Sequence, residues 1–124
     1  MKRDWKIQYI IDDKTGRGSA HSHGLDKYGS LEIEINLHLR PEVMGQYINL
    51  IADHIANKGL QIEDGERVEG IFFCAVYFFK VKSVQSEDVV LRVVLPDEQL
   101  RFPWDADCSP EYREQIVLKG KYKL

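Results

Sequence analysis

An α+β domain is the fold class that this 124-residue sequence predicts: an antiparallel sheet of five or six strands, able to curl into a partial barrel, packed against one long helix, with a short helix near the C-terminus. Three observations carry it. Unbroken apolar–polar alternation from Leu31 to His38 marks a half-buried strand. A 3.6-residue period runs from Pro41 to Lys58 and stops at Gly59, which marks one amphipathic helix. Two apolar runs, Gly70–Val81 and Val89–Leu95, flank the polar segment Lys82–Asp88 and read as a long hairpin. Only one stretch is long enough to serve as a crossover helix, so antiparallel neighbours are expected throughout.

Taken in order, Trp5–Ile11 alternates as a first strand, with Trp5, Ile7, Tyr9 and Ile11 on one side. Asp12–Gly18 is a turn; it has two glycines, but no GxxxxGK[ST] pattern and no helix after it, so it does not read as a phosphate loop. Ser19–Leu25 is a short second strand, and Asp26–Ser30 turns the chain into the strand at Leu31, whose Glu32 and Glu34 should face water. In the helix, Pro41 suits the first position because its missing N–H has no partner there in any case, and Gly59 suits a left-handed cap that brings Leu60 onto the last turn. Val43, Met44, Tyr47, Ile48, Leu50, Ile51 and Ile55 form the apolar arc, with Glu42, Gln46, Asn49 and Asp53 opposite in solvent. His54 falls inside the arc and reads as a core-edge residue with one nitrogen satisfied. Asp64-Gly65 fits a tight hairpin or an exposed loop. The run Gly70–Val81 is apolar on both faces, as a central strand would be. Ser109-Pro110-Glu111 then opens a helix of about two turns.

The composition suits one globular domain spanning residues 1–124: 44% of residues are hydrophobic, 30% are charged, and the formal charge is −3. That charge argues against a general nucleic-acid binder, which needs a basic face for phosphates. Cys74 and Cys108 form no CxxC or disulfide pattern, and there is neither a signal-peptide core nor a long apolar span. A cytoplasmic protein with reduced thiols and no membrane association is expected.

His21-Ser-His-Gly-Leu25, the strand Leu31–Leu37, Arg40-Pro-Glu-Val43 at a helix start and Phe102-Pro-Trp-Asp105 near the end together resemble a bacterial family, domain of unknown function 4262. In that family a tyrosine-threonine-any-glycine-leucine segment leads through a loop to a strand, a Pro-initiated helix, a central strand region and a late Pro-Trp. His21 and Ser22 stand here in place of its hydroxyl pair. The resemblance implies a bacterial cytoplasmic α+β domain and no particular reaction.

Locally, His21-Ser-His23 is the strongest chemical candidate, because residues two apart on a strand point the same way and an HxH pair can grip one divalent metal ion. A third ligand is needed, and the register decides whether one exists. A four-residue loop sets His23 beside Glu32 and His21 beside Glu34; a five-residue loop sets Leu25 against Leu31 and turns both histidines to the apolar face. The second register is preferred because it buries Leu25 with Leu31, leaving no metal or other cofactor expected. Asp105-Ala-Asp107-Cys108 is a weaker cation or thiol candidate, better explained as acids before a helix start.

The sheet face away from the long helix carries apolar residues of both hairpin strands and needs a cover. The Phe102-Pro103-Trp104 tail together with the first strand is the preferred cover, and a homodimer is the second choice. The rim between that lid and the His21–Ser30 loop is then the candidate cleft, with His21, His23, Asp26, Tyr28, Phe102, Trp104 and Asp105 around it. With no catalytic signature present, the favoured function is a non-catalytic interaction or ligand-binding domain with a protein or small-molecule partner. The alternatives are a metal-dependent hydrolase built on His21 and His23, and single-stranded nucleic-acid binding through Trp5, Tyr122 and the terminal lysines.

Overall fold

The computed structural model describes residues 3–11, 18–37, 39–84 and 86–116. Among the described residues six strands form one sheet: β1 (Lys6–Ile11), β2 (Gly18–His23), β3 (Ile33–Ile35), β4 (Glu66–Val68), β5 (Val76–Lys82) and β6 (Val89–Val94). Helix α1 (Pro41–Lys58) follows β3, and α2 (Pro110–Arg113) runs on into a 3-10 turn, Glu114–Ile116. The spatial order is β1-β2-β3-β6-β5-β4, and the sheet does not close into a barrel. The α+β class, the strand number and both helices are thus as expected. Unforeseen is one parallel junction, β3 with β6, reached through α1 and the β4–β5 hairpin; the other four pairings are antiparallel. Of the turn expected at Asp12–Gly18, residues 12–17 lie outside the described residues and Gly18 already belongs to β2; His38 and residues 117–124 also lie outside them.

Helix α1 begins and ends where its punctuation places it. Pro41 holds the first position, Gly59 adopts φ 70°, and the N–H of Leu60 reaches the carbonyl of His54 at 3.0 Å. Met44, Ile48, Ile51, Ala52 and Ile55 are buried against Ala20, Ile33, Ile35, Phe78, Leu91 and Val93 of the sheet. Two parts of the expected helix face are different. Leu50 is exposed, whereas Asn49 and Asp53 are not simply solvated. The segment before β1 crosses that face: Trp5 donates its indole N–H to Asn49 at 2.8 Å, and the Arg3 guanidinium grips Asp53 at 2.6 and 3.3 Å. Polar side chains with long-range partners look the same in sequence as solvated ones. His54 donates its Nδ1–H to the Leu50 carbonyl, 3.0 Å away, the satisfied core-edge histidine of the sequence reading.

The apolar run 70–81 is the largest departure. Its strand starts only at Val76, because Gly70 turns at φ 91° and residues 71–75 leave the sheet as a loop that leaves Phe73 95% exposed. The central strand is β6, whose residues from Val90 onward are all buried.

The face away from α1 is partly covered by the tail, whereas the first strand is an edge of the same sheet and covers nothing. Phe102 and Trp104 stack 5.1 Å apart and meet Tyr77 edge-on at 4.9 and 4.8 Å, with Phe79 6.0 Å from Trp104. Asp105 fastens this turn by accepting the Phe102 N–H at 2.7 Å. Next to it, over β3 and β6, lies a buried ion pair, with Arg92 Nη2 2.5 Å from Glu34 Oε1. The second Glu34 oxygen accepts the Ser83 hydroxyl, and Arg92 Nη1 donates to the Gln115 carbonyl at 3.2 Å. Glu34, expected in water, is fully buried because the tail and Ser83 cover it. The Gln115 amide completes the cover, giving and taking a hydrogen bond with the Leu95 backbone at 2.6 and 2.9 Å as a neighbouring strand would.

Trp104 remains 38% exposed, so its ring is a partial lid. Trp104→Ala is expected to cost about 1 to 2 kcal/mol in a urea titration, below the 3 to 5 kcal/mol range of a fully buried ring. A loss near 4 kcal/mol would mean that the tail closes more tightly over Tyr77 than described.

Candidate functional site

The residues assembled into the expected cleft occupy three separate places. His21 pairs with Glu34, so the four-residue register is the one adopted, correcting the preference for the other. Leu25 did not need Leu31 opposite it: a 3-10 turn, Leu25–Tyr28, folds Leu25 into the core instead. His21 and His23 consequently lie on the face away from α1, their Nε2 atoms 2.9 Å apart and His23 3.0 Å from Gln8 Oε1. The two glutamates that this register offered are engaged elsewhere. Glu34 faces Arg92, and Glu32 accepts from Ser22 Oγ at 2.8 Å and from the N–H groups of Gly24 and Leu25 at 3.1 Å. Among the described residues no group of three His, Cys, Asp or Glu is disposed to hold a metal ion.

Asp26 caps Lys27, and Tyr28 donates to Asp4 at 2.6 Å while its ring packs on the core. Phe102, Trp104 and Asp105 sit over β5, separated from β2 by β3 and β6; at the usual strand spacing that is about 14 Å. The rim joining these groups therefore does not form. Trp5, a stacking residue of the nucleic-acid reading, is 7% exposed, while Tyr122 and the terminal lysines lie outside the described residues. At Cys108, burial and then the neighbouring Asp97 push the thiol pKa up, the opposite of an activated nucleophile.

A cavity of about 380 Å³ lies elsewhere, beyond the carboxyl ends of the parallel pair. Leu37 and Leu39 enter it from the segment after β3, Leu95, Pro96, Asp97, Glu98 and Leu100 from the segment after β6, and Tyr47 from α1. Phe72, Phe73 and Cys74 come from the loop that leaves the sheet, and Tyr112 from α2. Its size falls in the range of small-molecule sites. Tyr47 and Phe72 meet edge-to-face at 5.3 Å in its wall. At the mouth, Phe73 is almost wholly exposed and Leu100 is 57% exposed. Leu100 also holds φ 61°, a left-handed conformation that costs a residue with a side chain about 1 kcal/mol.

Asp97 holds that strained lip. Its carboxylate accepts from the N–H groups of Gln99 and Arg101 at 2.9 Å and Ser109 at 3.0 Å, and pairs with the Arg101 guanidinium at 3.1 Å. The Ser109 hydroxyl also turns to Asp97 rather than capping α2. Burial alone would raise the Asp97 pKa, but the Arg101, Ser109 and Gln99 N–H groups and the Arg101 charge outweigh it and hold it at about 2. A depressed carboxylate stabilises the fold fully above its ordinary value of 3.8 and loses that contribution as pH falls through about 2. Asp97→Asn is accordingly expected to flatten the acid-side fall in stability between these limits, read from thermal melts at stepped pH; an unchanged slope would remove Asp97 as the organiser of the lip. Burial raises Tyr112 and Cys74 as well, with Glu98 adding to the shift at Tyr112, so both groups stay protonated at neutral pH.

Sequence reasoning missed this cavity because its lining comes from segments far apart in the chain. One signal was present: Phe72-Phe73 two residues after Gly70, a place where aromatic residues need not belong to the strand that follows. Among the described residues no helix is long and apolar enough to cross a membrane. Searches of curated proteins and of solved structures each returned no match. The model of the domain of unknown function DUF4262 matches residues 1–109, and the chain belongs to that family.

Proposed function

We propose that the protein is a non-catalytic ligand-binding domain of the bacterial cytoplasm, and that the cavity beyond β3 and β6 takes a small molecule with an apolar body. The observation that carries this reading is the pairing of a preformed apolar cavity with two apolar side chains, Phe73 and Leu100, held out at its mouth. An exposed Phe and a strained Leu lower solubility and stability, and both are explained if they close over a ligand. Cys74 and Cys108 as free thiols fit a reducing compartment.

The test is saturable binding of a neutral apolar dye, Nile red, with about one site per chain. Phe73→Ala is expected to leave thermal stability within about 0.5 kcal/mol, because the ring is exposed, and to weaken dye binding several-fold. Absence of saturable binding, or equal binding by Phe73→Ala, would sink the reading.

A further inference from the structure

The cavity wall has a chemistry narrower than "apolar". Four aromatic rings, Tyr47, Phe72, Phe73 and Tyr112, line one small volume, and Glu98 places an exposed carboxylate at its mouth. Among the described residues that line it there is no Lys, Arg or His. The Asp97 carboxylate is already matched by Arg101 and backbone N–H groups, which leaves Glu98 as the charge that a ligand would meet. Aromatic faces carry negative potential and attract cations, most effectively cations of low hydration cost such as alkylated ammonium groups. An anionic ligand such as a fatty acid would find no countercharge among the described lining residues and would lose its hydration against Glu98.

From this we infer that the cavity recognises a quaternary or otherwise alkylated ammonium group, seated among the four rings with Glu98 as its counterion. The inference rests on the ligand-binding reading above. The same chemistry can come from a free small molecule of the choline type or from a trimethylated lysine side chain.

Calorimetric titration of the full chain with choline, with its uncharged isostere 3,3-dimethylbutan-1-ol and with a trimethyl-lysine peptide separates the possibilities. Choline or the peptide is expected to bind about tenfold tighter than the isostere, and the tighter of the two identifies the source. Glu98→Gln, at an exposed position, should weaken the cation several-fold and leave the isostere unchanged, and Tyr47→Leu, which keeps apolar volume but removes the ring, should weaken the cation by a larger factor than the isostere. Equal binding of choline and isostere would overturn the ammonium assignment while leaving the apolar-ligand reading intact. Failure of all three to bind, with Nile red still bound, would also overturn the assignment; failure of Nile red as well would overturn both.

Discussion

Arg92→Ala is expected to destabilise the protein by about 3 to 5 kcal/mol, because truncating one partner of a buried ion pair leaves the other charge without compensation. The guanidinium is 1% exposed and Glu34 is 0% exposed, so water cannot take over either role without opening the structure. The damage should also spread. Arg92 donates to the Gln115 carbonyl, and the Gln115 amide completes the backbone of Leu95, so the tail over the second face loses one of its anchors. Glu34→Ala is expected to cost a similar amount. Replacing both residues by Leu and Met should recover much of the loss, since an apolar pair has no charge to desolvate. Urea titrations of the two single variants and the double variant would decide the matter. A single-variant loss under about 1 kcal/mol would show that the pair is hydrated in solution. Against a typical domain stability of about 5 to 15 kcal/mol, the expected loss threatens folding at growth temperature.

Glu32→Ala is expected to cost about 2 to 4 kcal/mol, from the loss of a carboxylate that serves three donors at once. These donors belong to the His21–Leu25 segment that carries the family resemblance. Ser22 is fully buried, donates to Glu32 and accepts the N–H of Ile33 at 2.9 Å, taking over where the β2–β3 ladder ends. Gly24 turns at φ 112°, and a Cβ there would stand 3.3 Å from the Trp5 Cα, so only glycine fits without strain. Leu25 is then delivered into the core. The segment is thus a structural clasp in this chain, closed by the Ser22 hydroxyl. Glu32→Gln keeps one acceptor oxygen and should lose roughly half as much. Hydrogen exchange at Gly24 and Leu25 reads the clasp directly: protection unchanged in Glu32→Ala would show that the segment is held by something else.

Where a feature was legible in the sequence, a local signal specified it. Pro41, Gly59 and the intervening period are enough to place α1, and Asp64-Gly65 is enough for the turn that leads into β4, where Gly65 donates its N–H to the Phe78 carbonyl. Features decided by distant partners were not legible. Glu34 alternates with Ile33 and Ile35 as a solvent-facing residue would, and only the arrival of Arg92 and Ser83 makes its burial tolerable. Phe72 and Phe73 satisfy a strand pattern, yet the left-handed turn at Gly70 takes them out of the sheet to line a cavity. The His21 pair was visible as chemistry, but its would-be ligands were committed to the clasp and the buried ion pair by contacts that no spacing reveals.

The parallel junction has a meaning for the order of folding. Each half of the sheet is built from near neighbours in sequence: β1, β2 and β3 with α1, and β4, β5 and β6. The junction instead joins residues such as Glu34 and Arg92, 58 positions apart, so its closure bears the largest loop entropy in the sheet. On loop entropy alone this seam is the pairing expected to close last and to open first. The cavity straddles that seam, with Leu37, Leu39 and Tyr47 on one side and Phe72, Leu95 and Tyr112 on the other. A bound molecule would act as a tie between the halves, and occupancy would be felt as slower opening of β3 from β6 rather than as a change of shape.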